Sequence, residues 1–482
     1  MKRKTLAALL LIPIMALTLT TAAGCSLFDD DPYVTSVEQK AGEDGNVIVF
    51  HYSDGSKESV FLPYTGGSAD VSAEDLYLTF LDKTGKTSEE YSYAQFLEDY
   101  LDLTVTAEAT QTVAKNLQSV VKIYSEWVVS SGSGAWSSSN TSVSAGSGVI
   151  YKMNESDGYT YMITNYHVVN NSSADTNKNG GSTIARKIYC YLYGSESFVA
   201  ATSSKDENGY TKYNYGEYAI ACEFVGGSAS SDIALIRAKT SDMKAINPSY
   251  SEIKFAEGYS VGETAIAIGN PNSEGISVTR GVVSVDSEYI TLSGVDGTAR
   301  SYRVMRIDTS IYAGSSGGGL FNLEGELIGI TNAGSSSDAD QNVNYALPVS
   351  GVKAIVENLY EYCAGTSETR AYKIMLGVTD KTENSRYVYD AGTGTGRIVE
   401  DVVLDIVNIG SIAEKLGLFT GDRILSVTVN GTVYKIEREH EMRELLLTVR
   451  AGDALSLSYQ RNGETKESAA YTVKTSDLVA VE

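Results

Sequence analysis

The stretch IYAGSSGGGLFN, Ile311–Asn322, places two adjacent serines, Ser315 and Ser316, among four glycines. A glycine-rich backbone can turn tightly and direct consecutive N–H groups into one pocket. Acyl transfer needs such donors beside an activated hydroxyl, so a serine here is a candidate nucleophile. Because the same composition also suits a flexible loop, a base and an acid elsewhere in the chain have to decide between the two interpretations.

Few residues can serve as the general base, because the chain contains three histidines. His51 is predicted in an amino-terminal hairpin and His440 in a helix of the last domain, which leaves His167, in ITNYHVV, within the strand-rich region. Asp232, in SASSDIALIRA, opens an apolar strand and is the candidate acid. Each residue alone has an ordinary structural explanation. Together with Ser316 they supply the nucleophile, base and orienting acid of amide cleavage.

The region 113–362 is predicted to form a barrel or sandwich with enough strands for two barrels. Short apolar runs are separated by turn residues throughout it. These runs include SVVKIYSEWVV, YTYMITNYHVV, EYAIACEFVGG, DIALIRA, TAIAIGN, VTRGVVSV, YITLSG, LIGITNA and VNYALPV. We expect residues 130–146, rich in serine and glycine, to form a mobile loop, and residues 170–181 and 194–216 to be polar insertions at strand ends.

The amino terminus, MKRKTLAALLLIPIMALTLTTAAGC, has a basic start, a short apolar run and small residues before Cys25. This order is typical of an export signal. It resembles a bacterial lipoprotein signal, which implies cleavage after residue 24, a lipid on Cys25 and an extracytoplasmic location at the cell membrane. The alternative is a transmembrane anchor, but the apolar run is shorter than the ~20 residues that a spanning helix needs.

Changes in composition give six predicted segments. These are a signal peptide over 1–24, a tether with a small β-hairpin module over 25–63, a partly helical spacer over 64–112, the strand-rich domain over 113–362, a linker over 363–371 and a mixed α/β domain over 372–482. In the last domain SIAEKLG and HEMRELLLTV are the helix candidates.

Charge and motifs exclude several functions. The chain carries 38 Lys and Arg against 61 Asp and Glu, for a net charge of −23. Such an acidic chain is not suited to binding nucleic acid, because both carry negative charge. No P-loop, HExxH or paired-cysteine motif is present, so we expect no metal and no cofactor. Cys190, Cys222 and Cys363 form an odd set in which at most one disulfide can form, and small buried side chains are the simpler interpretation.

Several motifs, in order, resemble the HtrA (DegP-type) family of chymotrypsin-fold serine proteases. These motifs are TNYHVV, SDIALIR, AIGNP, VTRGVVS, RIDTSIYAGSSGGGLFN, GELIGI and VNYALPV, and they cover about residues 113–355. The segments LGVTD, IGSIAEKLGLFTGDRILSVTVNG and AGDALSLSYQRNG resemble the family's carboxy-terminal PDZ domain. The resemblance implies a mainly β fold, with a chymotrypsin-like double β-barrel followed by an α/β PDZ domain.

The resemblance also implies a role for each candidate residue. Ser316 is the nucleophile, because it directly precedes the glycine pair of the family's Gly-Asn-Ser-Gly-Gly motif. His167 is the general base, and Asp232 orients it. The backbone N–H groups of Gly314 and Ser316 form the oxyanion hole. Ser315 stands where the family usually has Asn.

Binding and activity follow from the same resemblance. The family's carboxylate-binding segment corresponds to Leu376, Gly377 and Val378, where a peptide carboxy terminus would be held as an added strand. The implied function is that of a serine endopeptidase that cleaves unfolded or misfolded proteins at the bacterial cell envelope. Family members are commonly trimers, so a homotrimer is implied. The alternative is a chaperone or stress sensor that has the protease fold but does not cleave. In trypsin-like relatives, an acid six residues before the nucleophile selects substrates with basic side chains. The corresponding residue here is Ser310, so the resemblance implies no such selection.

Overall fold

The computed structural model describes residues 34–41, 45–52, 55–63, 103–131, 138–197, 199–293, 299–334, 343–390 and 395–481, with isolated positions between 77 and 92. The chain divides into two compact units, Met1–Glu108 and Ala109–Glu482. The predicted signal peptide and Cys25 lie outside the described residues. In the described part, no helix combines the length and apolar character needed to cross a bilayer.

The first unit contains a three-stranded antiparallel sheet with the order β1-β2-β3. Its strands are β1 (Val34–Ala41), β2 (Gly45–Tyr52) and β3 (Lys57–Pro63). The predicted hairpin corresponds to β2 and β3, and β1 adds a third strand to it. His51 pairs with Lys57 at the end of this hairpin.

Helix α1 (Leu103–Asn116) runs across the predicted boundary at residue 112. Its carboxyl-terminal part belongs to the second unit, where Thr112 Oγ1 donates to Leu323 O and Asn116 Nδ2 donates to Gly325 O at 3.2 Å. Both side chains are buried. The last turns of α1 therefore pack with the strand-rich domain.

The second unit begins with a closed six-stranded barrel in the order β10-β11-β6-β5-β4-β7. Helix α2 (Tyr166–Val169) follows β6, and α3 (Thr240–Ile246) follows β11. The six strands are β4 (Val120–Ser131), β5 (Ser138–Asn154), β6 (Tyr159–Thr164), β7 (Lys187–Leu192), β10 (Ile220–Ser228) and β11 (Ile233–Lys239).

The prediction of a mobile loop over residues 130–146 is wrong for the described part of that segment. Strand β4 continues to Ser131, and β5 begins at Ser138, directly opposite it. Polar residues can extend a hairpin in this way because backbone pairing does not require buried side chains. The serines also pair across the strands, with Ser130 Oγ and Ser139 Oγ 2.7 Å apart. The insertion over 194–216 contains a small hairpin, β8 (Ala200–Lys205) and β9 (Thr211–Asn214).

A second closed barrel follows in the order β12-β13-β14-β17-β16-β15. The run VTRGVVSV and residues 289–293 of the run YITLSG, predicted as separate strands, lie in one long strand, β13, whose pairing with β14 is interrupted by bulges. The six strands are β12 (Thr264–Gly269), β13 (Ser277–Ser293), β14 (Ala299–Ile307), β15 (Gly319–Phe321), β16 (Leu327–Gly334) and β17 (Asn344–Pro348).

A shared apolar core joins the two barrels. In β11, Ala234 and Ile236 face the interior of the first barrel, whereas Ile233 and Leu235 pack against the second. This burial on both faces explains why DIALIRA is a continuous apolar run instead of an alternating one. Helix α4 (Val349–Cys363) follows β17 and covers the same core.

The carboxy-terminal domain is α/β, as predicted. Its helices α5 (Ile412–Lys415) and α6 (Glu439–Thr448) lie in the two predicted helical segments. Strand β19 is the edge of its main sheet, and β18 pairs with β26 at the end of the chain. The strands are β18 (Ala371–Ile374), β19 (Val378–Asp390), β20 (Thr395–Val407), β21 (Arg423–Val429), β22 (Thr432–Lys435), β23 (Ala454–Arg461), β24 (Glu464–Glu467), β25 (Tyr471–Thr472) and β26 (Leu478–Val481).

The three cysteines of the second unit are all free thiols. Cys190 and Cys363 are buried, and Cys222 is half-buried. Burial raises the pKa of Cys363 to about 12, so this thiol is unreactive at neutral pH.

Candidate active site

His167 and Asp232 form a close hydrogen-bonded pair on the first barrel. His167 lies in α2, just after β6, and Asp232 lies in the turn between β10 and β11. His167 Nδ1 is 2.8 Å from Asp232 Oδ2, and the backbone N–H of His167 donates to Asp232 Oδ1 at 3.0 Å. The histidine side chain is 51% exposed, whereas that of the aspartate is 6% exposed. The carboxylate therefore fixes the orientation of an accessible imidazole.

Asp232 adopts an unusual backbone conformation, with φ at +49°. Non-glycine residues rarely occupy this left-handed region, and such strain persists only where the surroundings enforce it. Here two donors hold its carbonyl oxygen, namely Tyr166 N at 3.1 Å and Asn165 Nδ2 at 2.9 Å. The turn thereby directs the carboxylate toward the histidine.

The pKa of His167 is raised above its ordinary value. Desolvation of the ring opposes protonation, but the charge of Asp232 and its hydrogen bond outweigh this effect. The carboxylate thus stabilises a positively charged imidazolium, as a general base requires once it has accepted a proton.

Ser316 lies in the loop between β14 and β15, on the second barrel. Its Oγ donates to the backbone oxygen of Asn332 at 2.9 Å, and Asn332 Nδ2 donates to Asp232 Oδ2 at 2.6 Å. Asn332, on β16, therefore connects the serine to the His167–Asp232 pair. Within the described residues, no hydrogen bond joins Ser316 Oγ to His167.

The neighbouring Ser315 has a different environment. It is only 6% exposed, whereas Ser316 is half-buried. Ser315 lines a small cavity of about 10 Å³ beneath the loop, together with Ser310, Tyr312 and Thr331. A cavity of this size holds at most about one water molecule, so Ser315 has no room to meet a substrate there.

The loop around Ser316 requires glycine at two positions. Gly314 and Gly317 have φ values of +95° and +86°. A Cβ at Gly314 would lie 2.4 Å from Asn270 O, and one at Gly317 would lie 2.2 Å from Ser147 O. Both contacts are too short for any side chain, so the tight loop depends on these glycines.

Two N–H groups of this loop remain available for a ligand. The N–H groups of Ser315, Gly317 and Gly318 donate to backbone oxygens of Tyr312, Thr331 and Ser315, each at 2.9 Å. In the described part of the chain, no acceptor engages the N–H groups of Gly314 and Ser316. Gly314 and His167 line a common open cleft of about 510 Å³ with Val143, Asn272 and Ala313. This arrangement can hold an oxyanion close to the imidazole.

The predicted peptide-binding segment lies at the start of the edge strand β19. Leu376 is buried, and its carbonyl oxygen accepts from Ala413 N at 3.0 Å. Gly377 has φ at +77°, and its carbonyl oxygen accepts from Asn408 N at 2.9 Å. Val378 is the first residue of β19, whose outer edge has no strand partner among the described residues.

The sequence assigned no role to Asn332, to Ser147, which contacts the serine loop, or to Lys122, which contacts the turn after β12. Asn332 lies in LIGITNA, which reads only as a strand. No motif marks it, because its contribution depends on which neighbours the barrel places around it.

Comparison with known proteins agrees with this geometry. The trypsin-like peptidase domain matches residues 146–330, which contain His167, Asp232 and Ser316. The chain is 24% identical over 436 residues to the serine protease Do-like HtrA of Lactococcus lactis subsp. cremoris, covering 86% of this chain and 94% of that protein. It is 31% identical over 329 residues to a probable periplasmic serine protease do/HhoA-like of Haemophilus influenzae, covering 67% and 56%.

Two further relatives have similar descriptions. The periplasmic pH-dependent serine endoprotease DegQ of Escherichia coli is 27% identical over 327 residues, covering 67% of this chain and 58% of DegQ. Among solved structures, the HtrA-type protease AlgW with decapeptide matches 76% of this chain and 98% of its own, with a TM-score of 0.44 and 21% identity.

The double barrel and its trypsin-like peptidase domain define a serine endopeptidase. Its curated relatives are repeatedly HtrA and Do-type proteases, several of them named as periplasmic. The chain is a trypsin-like serine protease similar to the HtrA and Do-type proteases.

Proposed function

We propose that the protein hydrolyses peptide bonds by nucleophilic attack of Ser316. The observation that carries this proposal is the continuous set of contacts from His167 through Asp232 and Asn332 to Ser316, beside two unengaged N–H groups. A nucleophile, a base, an orienting acid and oxyanion donors thus meet where the two barrels join.

The first chemical step starts with a rotation of the Ser316 hydroxyl. In the structure it donates to Asn332 O, so it must turn toward His167 Nε2 before attack. His167 then accepts the proton while Oγ bonds to the substrate carbonyl carbon. The N–H groups of Gly314 and Ser316 receive the oxyanion, and Asp232 stabilises the imidazolium.

The second half of the reaction releases both products. His167 gives its proton to the leaving amine, which leaves an acyl group on Ser316. A water molecule then loses a proton to His167 and attacks the acyl carbon. The bond from that carbon to Ser316 Oγ breaks, Oγ takes the proton back from His167, and the acid product is released. No other nucleophile is needed, and Ser315 supports the loop without reacting.

Finer features of the function extend this proposal. The substrates are unfolded or misfolded proteins of the cell envelope, and the enzyme is held at the membrane by a lipid on Cys25. The domain over 372–482 is a PDZ domain that adds a peptide carboxy terminus to the edge of β19, near Leu376, Gly377 and Val378. The same proposal includes a homotrimeric assembly. It also includes segment boundaries after residues 24, 63, 112, 362 and 371. Relatives that are named as periplasmic serine proteases support this proposal.

A fluorophosphonate probe tests the nucleophile, because it labels only an activated serine. We expect labelling and proteolysis of wild type, and loss of both in Ser316→Ala, with a fall in turnover on the order of 10⁶. The matched variant Ser315→Ala should keep its label and most of its activity. Label retained on Ser316→Ala and lost on Ser315→Ala would contradict the assignment. An unlabelled wild type would favour the non-catalytic chaperone.

A further inference from the structure

Ser147, on β5 of the first barrel, holds the serine loop of the second barrel at two carbonyl groups. Its backbone N–H donates to Ser316 O at 2.8 Å, and its Oγ donates to Gly314 O, also at 2.8 Å. The same Oγ accepts from Asn270 N at 2.8 Å, and the residue is fully buried. One side chain therefore joins the loop that carries the proposed nucleophile to the turn that follows β12.

Lys122 lies directly opposite Ser147 in the β4–β5 ladder and is 3% exposed. Neighbours in a ladder project their side chains to the same face. Lys122 Nζ donates to Ser273 O at 3.0 Å and lies 5.0 Å from the centre of the Tyr124 ring. Burial lowers its pKa, although the charge of Glu196 opposes this effect. A buried lysine is costly, so a specific partner is expected for it.

The turn that Lys122 reaches is strained. Asn272 and Ser273 are consecutive non-glycine residues with φ at +53° and +64°. Non-glycine residues persist in such conformations only where neighbours enforce them. The hydrogen bond from Lys122 to Ser273 O, together with that from Asn270 N to Ser147 Oγ, ties this turn to the β4–β5 ladder.

This strained turn also contacts the loop of the proposed oxyanion hole. Asn272 N donates to Ala313 O at 2.6 Å. In a trans peptide the C=O and the following N–H point in opposite directions. Fixing Ala313 O on Asn272 therefore fixes the direction of the Gly314 N–H. If this peptide unit rotated, the Gly314 N–H would turn away from the oxyanion position, and the Ala313 carbonyl oxygen would take its place.

We propose that Lys122 and Ser147 are positioning residues that hold the Gly314 N–H in its oxyanion-binding orientation. Ser147 acts directly on the loop through Gly314 O, and Lys122 acts through the turn at Asn272 and Ser273. The inference rests on the proposed function, since it assumes that the Gly314 N–H binds the oxyanion. Neither residue contacts the reacting atoms.

The test compares Lys122→Met and Ser147→Ala with two control variants of the same strands in the full chain. Ser125→Ala removes a buried hydroxyl that has no hydrogen-bond partner among the described residues, and Lys152→Met removes a lysine that stacks on Tyr360. We expect each positioning variant to lower kcat on a short peptide about 10- to 100-fold, with KM little changed, since removal of a whole oxyanion donor costs ~10²–10³. The controls should stay within about twofold of wild type.

A peptide aldehyde separates positioning from general destabilisation, because its adduct carries an oxyanion and a product peptide does not. The aldehyde should bind the positioning variants more weakly by the same factor as kcat falls, while the product peptide binds equally well. Rescue by Lys122→Arg, which keeps a donor, is expected to be partial. If the folded variants bind the aldehyde like wild type, or if both ligands weaken equally, the inference is wrong.

Hydrogen exchange tests the positioning role without relying on a measurement of turnover. Amides over residues 312–318 should exchange faster in Lys122→Met and Ser147→Ala than in the controls, at equal melting temperature. An unlabelled, inactive wild type would refute the proposed function, and unchanged exchange in the variants would still refute the positioning role. An active wild type with unaffected variants refutes the positioning role alone.

Discussion

Asn332 contacts both halves of the site with different atoms. Its backbone oxygen accepts from Ser316, and its side-chain amide donates to Asp232. A substitution at this position therefore keeps the first contact and removes the second. This separation makes the contribution of the amide measurable.

We expect Asn332→Ala to lower kcat by about tenfold, which corresponds to ~1.4 kcal/mol of transition-state free energy. Asp232 would lose one of its charge-assisted donors, and the imidazole would be less firmly oriented. Steady-state kinetics on a short peptide measures the effect, with a melting curve as the control for folding. An unchanged kcat in a folded variant would show that the amide does not support the aspartate.

The raised pKa of His167 predicts the acidic limb of the pH profile. The neutral imidazole is the active base, so kcat/KM should fall as the pH decreases through a pKa above the ordinary value of ~6.5. In Asp232→Asn both effects that raise the pKa disappear, and desolvation remains. The acidic limb should then move to lower pH, while turnover falls on the order of 10⁴. A limb that does not move would contradict the assignment of His167 as the titrating base.

The three predicted catalytic residues could be found from sequence because their types carry the chemistry. His167, Asp232 and Ser316 stand in recognisable motifs, and the structure brings them into one connected site, although their roles stay predictions. Ser147 and Lys122 could not be found, because they act through carbonyl groups placed by strand register. A lysine within the apolar run SVVKIYSEWVV was the only signal.

Helices α4 and α6 form the contact between the second barrel and the carboxy-terminal domain. Arg303, on β14, donates to Glu444 of α6 and to Ser350 of α4. Arg303 and Glu444 are only 12% and 16% exposed. A second pair crosses the same interface, with Arg438 Nη1 2.7 Å from Asp286 Oδ2. The two domains are thus joined by ion pairs with little access to solvent.

We expect Arg303→Met and Glu444→Met each to destabilise the protein by roughly 3 kcal/mol, because each leaves one charge buried without its partner. The double variant should be more stable than either single variant, since no unpaired charge remains. Melting temperatures of the four proteins give the comparison, and Lys466→Met, in an exposed pair, should change little. Strictly additive losses would show that the two charges are independently solvated.

Element boundaries were harder to predict than element types. Strands with apolar runs and both helices of the last domain were found, because burial imposes their patterns. The hairpin of β4 and β5 was missed between 138 and 146, since its serines pair with one another across the strands instead of being buried. Helix α1 crossed a boundary placed by composition, because its last turn packs on the barrel through Thr112 and Asn116.

The apolar core shared by the two barrels extends to strand β26. Val481, in β26, is 5% exposed and belongs to the same apolar cluster as Val352 and Leu359 of α4. Ala371, paired with Val481, belongs to it too. The last residues therefore contribute to the packing of the protease barrels as well as to their own domain.

Val481→Asp should accordingly lower the melting temperature of the full chain by at least about 5 °C, because it buries a charge without a partner. Val479→Asp is the matched control, since Val479 lies on the same strand and is 40% exposed. Equal, small shifts for both variants would show that the end of β26 is not part of the common core.

The pairing of β18 with β26 also sets the order in which the chain can mature. Residues 371 and 481 meet only after the entire segment between them has been synthesised, so β18 keeps a bare edge in every shorter nascent chain. Closing so long a loop is slow compared with forming local turns. Until residues 478–481 have been synthesised, the barrels therefore lack part of their apolar cover, and the unpaired edge of β18 stays open to other strands.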